Sequence, residues 1–180
     1  MGTHTQEGSD VGYGRFVRTG LPIAMLLAAA CSDATAPVAN DGLPSNLDRG
    51  IYPLVNVASE TGSSAQVELY LKRVKVDDRL ASFQGEMTYD AAALELEHTD
   101  LPPGIVGSTN ETSPGHVRFA GAALDGVGDV PVLALRFTRR GEIGQQSFGV
   151  KVEEVAGATG FTDLTSAVST RAPYFHRSSR

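Results

Sequence analysis

Cysteine occurs once in the 180 residues, at Cys31, and tryptophan not at all. A single cysteine excludes an internal disulfide framework and a cysteine-ligated zinc site. Without tryptophan, sugar stacking on flat rings would rest on five Tyr and seven Phe. Basic residues are outnumbered, 15 against 21 acids for a net charge of −6, which argues against a nucleic-acid partner because phosphate binding needs a basic face. Long apolar runs are missing too: the longest, LPIAMLLAAA at residues 21–30, is far short of the roughly 20 residues that a membrane-spanning helix needs. The four histidines, His4, His98, His116 and His176, are scattered. There is no Gly-x-Ser-x-Gly elbow, no HExxH and no phosphate-cradling glycine loop with lysine. Glu95 with Glu97 and the adjacent Glu153–Glu154 are paired carboxylates, but glycoside chemistry needs two across a cleft, and none can be inferred between them. Asp125-Gly126-Val127-Gly128-Asp129 lacks the ligand series of an EF-hand and reads as a glycine-rich hairpin loop. No enzyme activity, cofactor or metal is expected.

What is present begins with an address. Arg15 and Arg18 precede the apolar run, and small residues end it at Cys31, the layout of an export signal. The string Leu27-Ala28-Ala29-Ala30-Cys31 resembles a bacterial lipobox, with Ala28 where leucine is usual; the resemblance implies lipidation of Cys31 as the new N-terminus. The alternative is a secretory signal cleaved near an unpaired cysteine. Ser32 after the cysteine, by resemblance to Gram-negative lipoproteins, implies outer-membrane sorting where the host has two membranes. Glu7 and Asp10 suit a signal start poorly, which points to translation beginning later, at Val11 or Val17 for instance. The expected organisation is a lipoprotein signal over 1–31, a polar Pro/Gly-punctuated tether over 32–50, a folded domain over 51–168 and a loose basic end over 169–180, with Arg171, Arg177 and Arg180.

Within the domain the apolar period is two. Val67, Leu69 and Leu71 alternate with Glu68, Tyr70 and Lys72; Val74 and Val76 then change parity, predicting a bulge or bend near Lys72–Arg73. Ala81, Phe83, Gly85, Met87 and Tyr89 share one face of a strand, and Ser82, Gln84, Glu86 and Thr88 the other. Leu94 with Leu96, Val117 with Phe119, Leu133-x-Leu135-x-Phe137, and Phe148-x-Val150-x-Val152 supply further strands between turn signals. About seven to nine short strands predict an all-β fold, an antiparallel β-sandwich of jelly-roll type. Phe83, Met87, Val117, Phe119, Leu133, Leu135 and Phe137 are its expected core.

Three segments carry a family resemblance over Gln66 to about Val168. The stretch FQGEMTYDAAAL (83–94) resembles the cohesin strand that ends in Tyr-Asp, GHVRFAGA (115–122) is similar to its central strand, and VLALRF (132–137) to its strand after a glycine-rich loop. Cohesins hold dockerins against the outer face of one sheet, so the resemblance implies a non-catalytic binding module for a dockerin-type protein. It places Ser82 and Gln84 where cellulosomal cohesins often carry Asn and Asp that bond the dockerin; the change keeps hydrogen-bonding capacity and loses a charge. The implied partner face comprises Ser82, Gln84 and Glu86, with Arg118 on a neighbouring strand placed to pair with Glu86. Polar residues on a solvated strand face are also what any sandwich presents. Direct carbohydrate binding and a structural or adhesive role in the envelope are the rival readings.

Overall fold

The computed structural model describes residues 42–178; Cys31, the apolar run and the segments before and after it up to residue 41 lie outside the described residues. Nine strands follow one another: β1 (Gly50–Glu60), β2 (Ser64–Val74), β3 (Leu80–Tyr89), β4 (Leu94–Asp100), β5 (Val106–Ser113), β6 (His116–Val127), β7 (Leu133–Arg139), β8 (Phe148–Gly157) and β9 (Tyr174–Arg177). They form two layers, a five-stranded sheet ordered β4-β7-β2-β1-β9 and a four-stranded sheet ordered β5-β6-β3-β8. All pairings are antiparallel except β1–β9, which is parallel. Two single-turn 3-10 segments, Gln145–Ser147 and Thr165–Ala167, interrupt the connections.

Alternation in the sequence becomes the inside and outside of each sheet. On β3 every residue of the Ala81–Tyr89 parity is buried, while Ser82, Gln84, Glu86 and Thr88 face outward. All seven expected core residues are buried between the sheets. Phe137 lies edge-on to Tyr89, their ring centroids 4.9 Å apart, and Phe83 meets Phe119 at 6.2 Å. Burying side chains of this size contributes about 1.5–3 kcal/mol each. The Ala91–Ala93 stretch is a turn: Asp90 accepts a bond from the Ala92 amide through Oδ1 (2.9 Å) and one from the Leu94 amide through its carbonyl (2.9 Å). The β5–β6 hairpin closes on Pro114-Gly115, and Gly115 (φ +91) supplies the positive φ that a type II turn requires at its second central position.

Three features depart from the sequence reading. The β1–β2 register runs unbroken from Gly50↔Val74 to Val57↔Val67, so no bulge occurs at Lys72–Arg73. Val74 changes parity because it joins Leu47 and Tyr52 in a second apolar cluster on the outer face of the five-stranded sheet. The end of the expected tether is part of that cluster: Leu47 is buried, the Tyr52 hydroxyl donates to the Asp48 carbonyl (3.0 Å), and Lys75 Nζ donates to the Leu47 carbonyl (3.1 Å). Finally, the expected loose end contains β9, paired with Leu54–Val57 of β1 and packed through Phe175 on Phe148. Arg177 is ion-paired to Glu60 (3.4 Å) and donates to the Ile143 carbonyl (2.6 Å).

Candidate functional site

The β3–β6 ladder sets the geometry of the expected face. Its register places Ser82 opposite Ala122, Gln84 opposite Ala120 and Glu86 opposite Arg118, all with outward parity, so the two strands bring the four expected residues together on the outside of the four-stranded sheet. β8 continues the face beyond β3, with Ala156, Glu154 and Lys151 opposite Ser82, Gln84 and Glu86. β5 continues it beyond β6, with Val106, Ser108 and Asn110 opposite Ala122, Ala120 and Arg118.

The expected Glu86–Arg118 ion pair does not form. Glu86 Oε1 accepts from His116 Nδ1 at 2.6 Å, and Arg118 Nη2 donates to Glu153 Oε2 at 2.8 Å. A β-bulge explains the choice. The β3–β8 register slips between Gln84↔Glu154 and Gly85↔Val152, which leaves Glu153 as the extra residue of β8 within reach of Arg118. The spacing of Val150, Val152 and Val155 was the signal in the sequence: an apolar period of two gives way to a step of three. Gly85 sits at this bulge because β8 passes close by, and a Cβ there would lie 2.4 Å from the Lys151 carbonyl oxygen.

The result is a charged end and a small-residue middle. At the charged end the basic side chains stand out: those of Lys151, Arg118 and His116 are 77%, 57% and 49% exposed, whereas Glu86 and Glu153 are 30% and 25%. The hydrogen bond from His116 holds the Glu86 carboxyl below the usual glutamate range, and the charges of His116, Arg118 and Lys151 add to it. In the middle, Gln84 Nε2 donates to Glu154 Oε2 at 3.1 Å. Beside it Ser82, Ser108, Ala120 and Ala122 floor an open depression of 320 Å³, and Asn110 and Arg118 edge a second of 210 Å³. Glu153, Glu154, Lys151, Ser108 and Asn110 belong to the face by position alone; their strands had to be paired before they could be placed on it.

The other candidate motifs have separate places. β6 runs on to Val127, so only Gly128 and Asp129 of the Asp125–Asp129 stretch lie in a loop, and Asp129 faces Arg73 at 3.9 Å. Among the described residues no three His, Cys, Asp or Glu side chains gather as metal ligands, and no helix is long and apolar enough to cross a membrane. Glu95 pairs with Arg140, and Glu97 accepts from Thr138.

No family model matches the sequence, and no curated protein is similar to it. Among solved structures, the chain is similar to the sixth cohesin of Acetivibrio cellulolyticus scaffoldin B, solved in complex with a Cel5 dockerin mutant: 17% identity over 72% of this chain and 99% of that one, TM-score 0.53. It is similar also to a non-cellulosomal cohesin from the archaeon Archaeoglobus fulgidus, with 16% identity over 72% of this chain and 92% of that one, TM-score 0.52. A cohesin module from a Clostridium perfringens family 33 glycoside hydrolase matches at 16% identity over 73% of this chain and 100% of that one, TM-score 0.51. The described residues therefore have a cohesin-like β-sandwich fold.

Proposed function

We propose that this domain is a non-catalytic binding module that holds a protein partner, of dockerin type, on the outer face of the β5-β6-β3-β8 sheet. Ser82, Gln84, Glu86 and Arg118 make the contact. The observation that carries the reading is their convergence: two paired strands put donors, acceptors and both signs of charge on one open face. A standard interface takes about 800 Å² from each partner, which a sheet face offers without a pocket. The similarity to a cohesin solved with a dockerin supports the partner class. Ser82 and Gln84 are neutral, so the centre of the contact rests on hydrogen bonds beside the Glu154 carboxylate that Gln84 holds, with the basic groups at the Arg118–Lys151 end. We propose separately, from the lipobox-like string Leu27–Cys31 and the Ser32 that follows, that the chain is an exported lipoprotein, anchored through Cys31 to the cell envelope and sorted to the outer membrane where the host has one.

Residues 42–178 hold both sheets and serve as bait against the organism's own secreted and envelope proteins. With the captured partner identified and purified, Gln84→Ala combined with Arg118→Ala weakens binding at least tenfold, about 1.4 kcal/mol, and leaves the melting temperature nearly unchanged. Unchanged binding by the double variant would move the site to another face. Retention on a polysaccharide column with no protein captured would favour the carbohydrate reading instead. For the anchor, fatty-acid labelling of wild type that disappears in Cys31→Ser is expected, and equal labelling would refute it.

A further inference from the structure

Four large apolar side chains are exposed among the described residues: Val106 (80%), Leu124 (fully), Val130 (49%) and Phe161 (77%). They come from β5, β6 and two separate loops, yet all four line one groove of 800 Å³ at the end of the sandwich. Isolated apolar residues on a surface need no explanation, but their concentration in one concavity marks an interaction site. The groove is also built. In the turn Thr159–Thr162 both central residues, Gly160 (φ +67) and Phe161 (φ +53), have the positive φ of a type I′ turn, a conformation that side chains such as phenylalanine rarely adopt. Asp78 fixes that turn by accepting from the Thr159 amide and hydroxyl, both at 3.0 Å. The fold thus holds an aromatic ring in solvent with a backbone that disfavours it.

We propose that this groove is a dimerisation surface and that its occupant is a second copy of this chain, related by a two-fold axis. A two-fold interface must be complementary to itself, because the same patch serves both partners. This one offers both knobs and hole, Leu124 and Phe161 standing beside the cavity they would fill in the other copy. Its charges match in the same way. The groove carries one exposed cation, Arg79, and one exposed carboxylate, Asp125, and among the described residues neither has an ion-pair partner. Across a two-fold, Arg79 of each copy meets Asp125 of the other, whereas a single sign would repel itself. Sixteen residues line the groove, below the roughly 20–30 that a standard interface uses on each side, so the dimer is a weak one. Leu124 lies six residues along β6 from Arg118, about 20 Å, so the charged end of the outer face stays open. Val106 and Ala122, by contrast, line both the groove and the depression beside Ser82, and the dimer competes with a partner at that end.

Sedimentation velocity of residues 42–178, the span that holds both sheets without the apolar run or Cys31, from about 1 to 100 µM tests this, the range in which a weak dimer dissociates. The wild type should shift from monomer to dimer with concentration. Leu124→Lys with Phe161→Ser should weaken association at least tenfold without lowering the melting temperature, since both side chains are exposed. Arg79→Asp should weaken it as well, and adding Asp125→Arg in the same chain should restore it, which a structural role for either residue would not produce. A wild type that stays monomeric throughout would overturn the proposal and leave the groove to a different molecule. Equal association by the Leu124/Phe161 variant, or no restoration by the charge reversal, would overturn it as well.

Discussion

Glu86 and Arg118 stand directly opposite each other across β3 and β6, yet each turns to a different partner, Glu86 to His116 and Arg118 to Glu153. A histidine–carboxylate hydrogen bond and an arginine–carboxylate ion pair replace the single pair that strand pairing suggests. The bulge in β8 makes this possible, because it brings an extra carboxylate up to the guanidinium.

The first prediction concerns the acid limb of this arrangement. A carboxyl held below its ordinary value, as Glu86 is, stabilises the folded state above the ordinary glutamate pKa of about 4.3, and that share is lost as pH falls through the lowered value. Carboxyl NMR should therefore show Glu86 titrating below the usual glutamate range. In His116→Ala the midpoint should rise toward it, because the hydrogen bond from His116 is the main cause and alanine has no donor. An unmoved midpoint would transfer the effect to Arg118 and Lys151.

A second prediction tests the core. Phe119 is 2% exposed and packs on Phe83. Phe119→Ala should cost about 3–5 kcal/mol in denaturant unfolding, the range for deleting a buried aromatic. A loss below about 0.5 kcal/mol, typical of a surface site, would contradict its placement.

The third addresses the C-terminal strand. Glu60 holds Arg139 at 2.8 Å and Arg177 at 3.4 Å, joining the ends of β1, β7 and β9. Its side chain is 20% exposed, and Arg139 is tied further to the Thr61 carbonyl at 2.7 Å. Glu60→Gln should destabilise by about 1 kcal/mol, the upper part of the range for partly exposed ion pairs, since one carboxylate serves two arginines. Amide exchange in Phe175–Arg177 should accelerate before that of β3, since β9 is short and lies at a sheet edge. Uniform acceleration across both sheets would mean that β9 does not open independently.

How much of this was legible depended on whether a strand has one wet face. β3 does, and its burial alternates as its sequence does. β1 does not: Gly50–Val55 is buried throughout, because the Leu47 cluster covers its outer side, so no period of two survives. β5, VGSTNETS, is exposed along almost its whole length and offers no apolar signal; it is a strand because β6 pairs with it. β9 has four residues and depends on a parallel partner more than a hundred positions away, Leu54↔Tyr174. At the candidate face, residue parity on β3 and β6 was readable, and the partners of the charged groups were not, because they depend on a one-residue slip in β8.

The course of residues 42–49 has a mechanical consequence. Gly42 lies against His176 and Leu54, and Leu47 is buried on Tyr52 and Val74, so the chain enters the domain across the back of the five-stranded sheet, away from the face formed by β3 and β6. If load is carried between a partner on that face and the chain upstream, it crosses the full thickness of the sandwich, meets the Leu47 cluster first and then reaches β1 at Gly50. β1 is an interior strand with β2 on one side and β9 on the other. A pull along its axis strains its ladder hydrogen bonds together, in shear, because those bonds run across the strand. Force applied in this way is resisted by the whole strand instead of opening it one bond at a time.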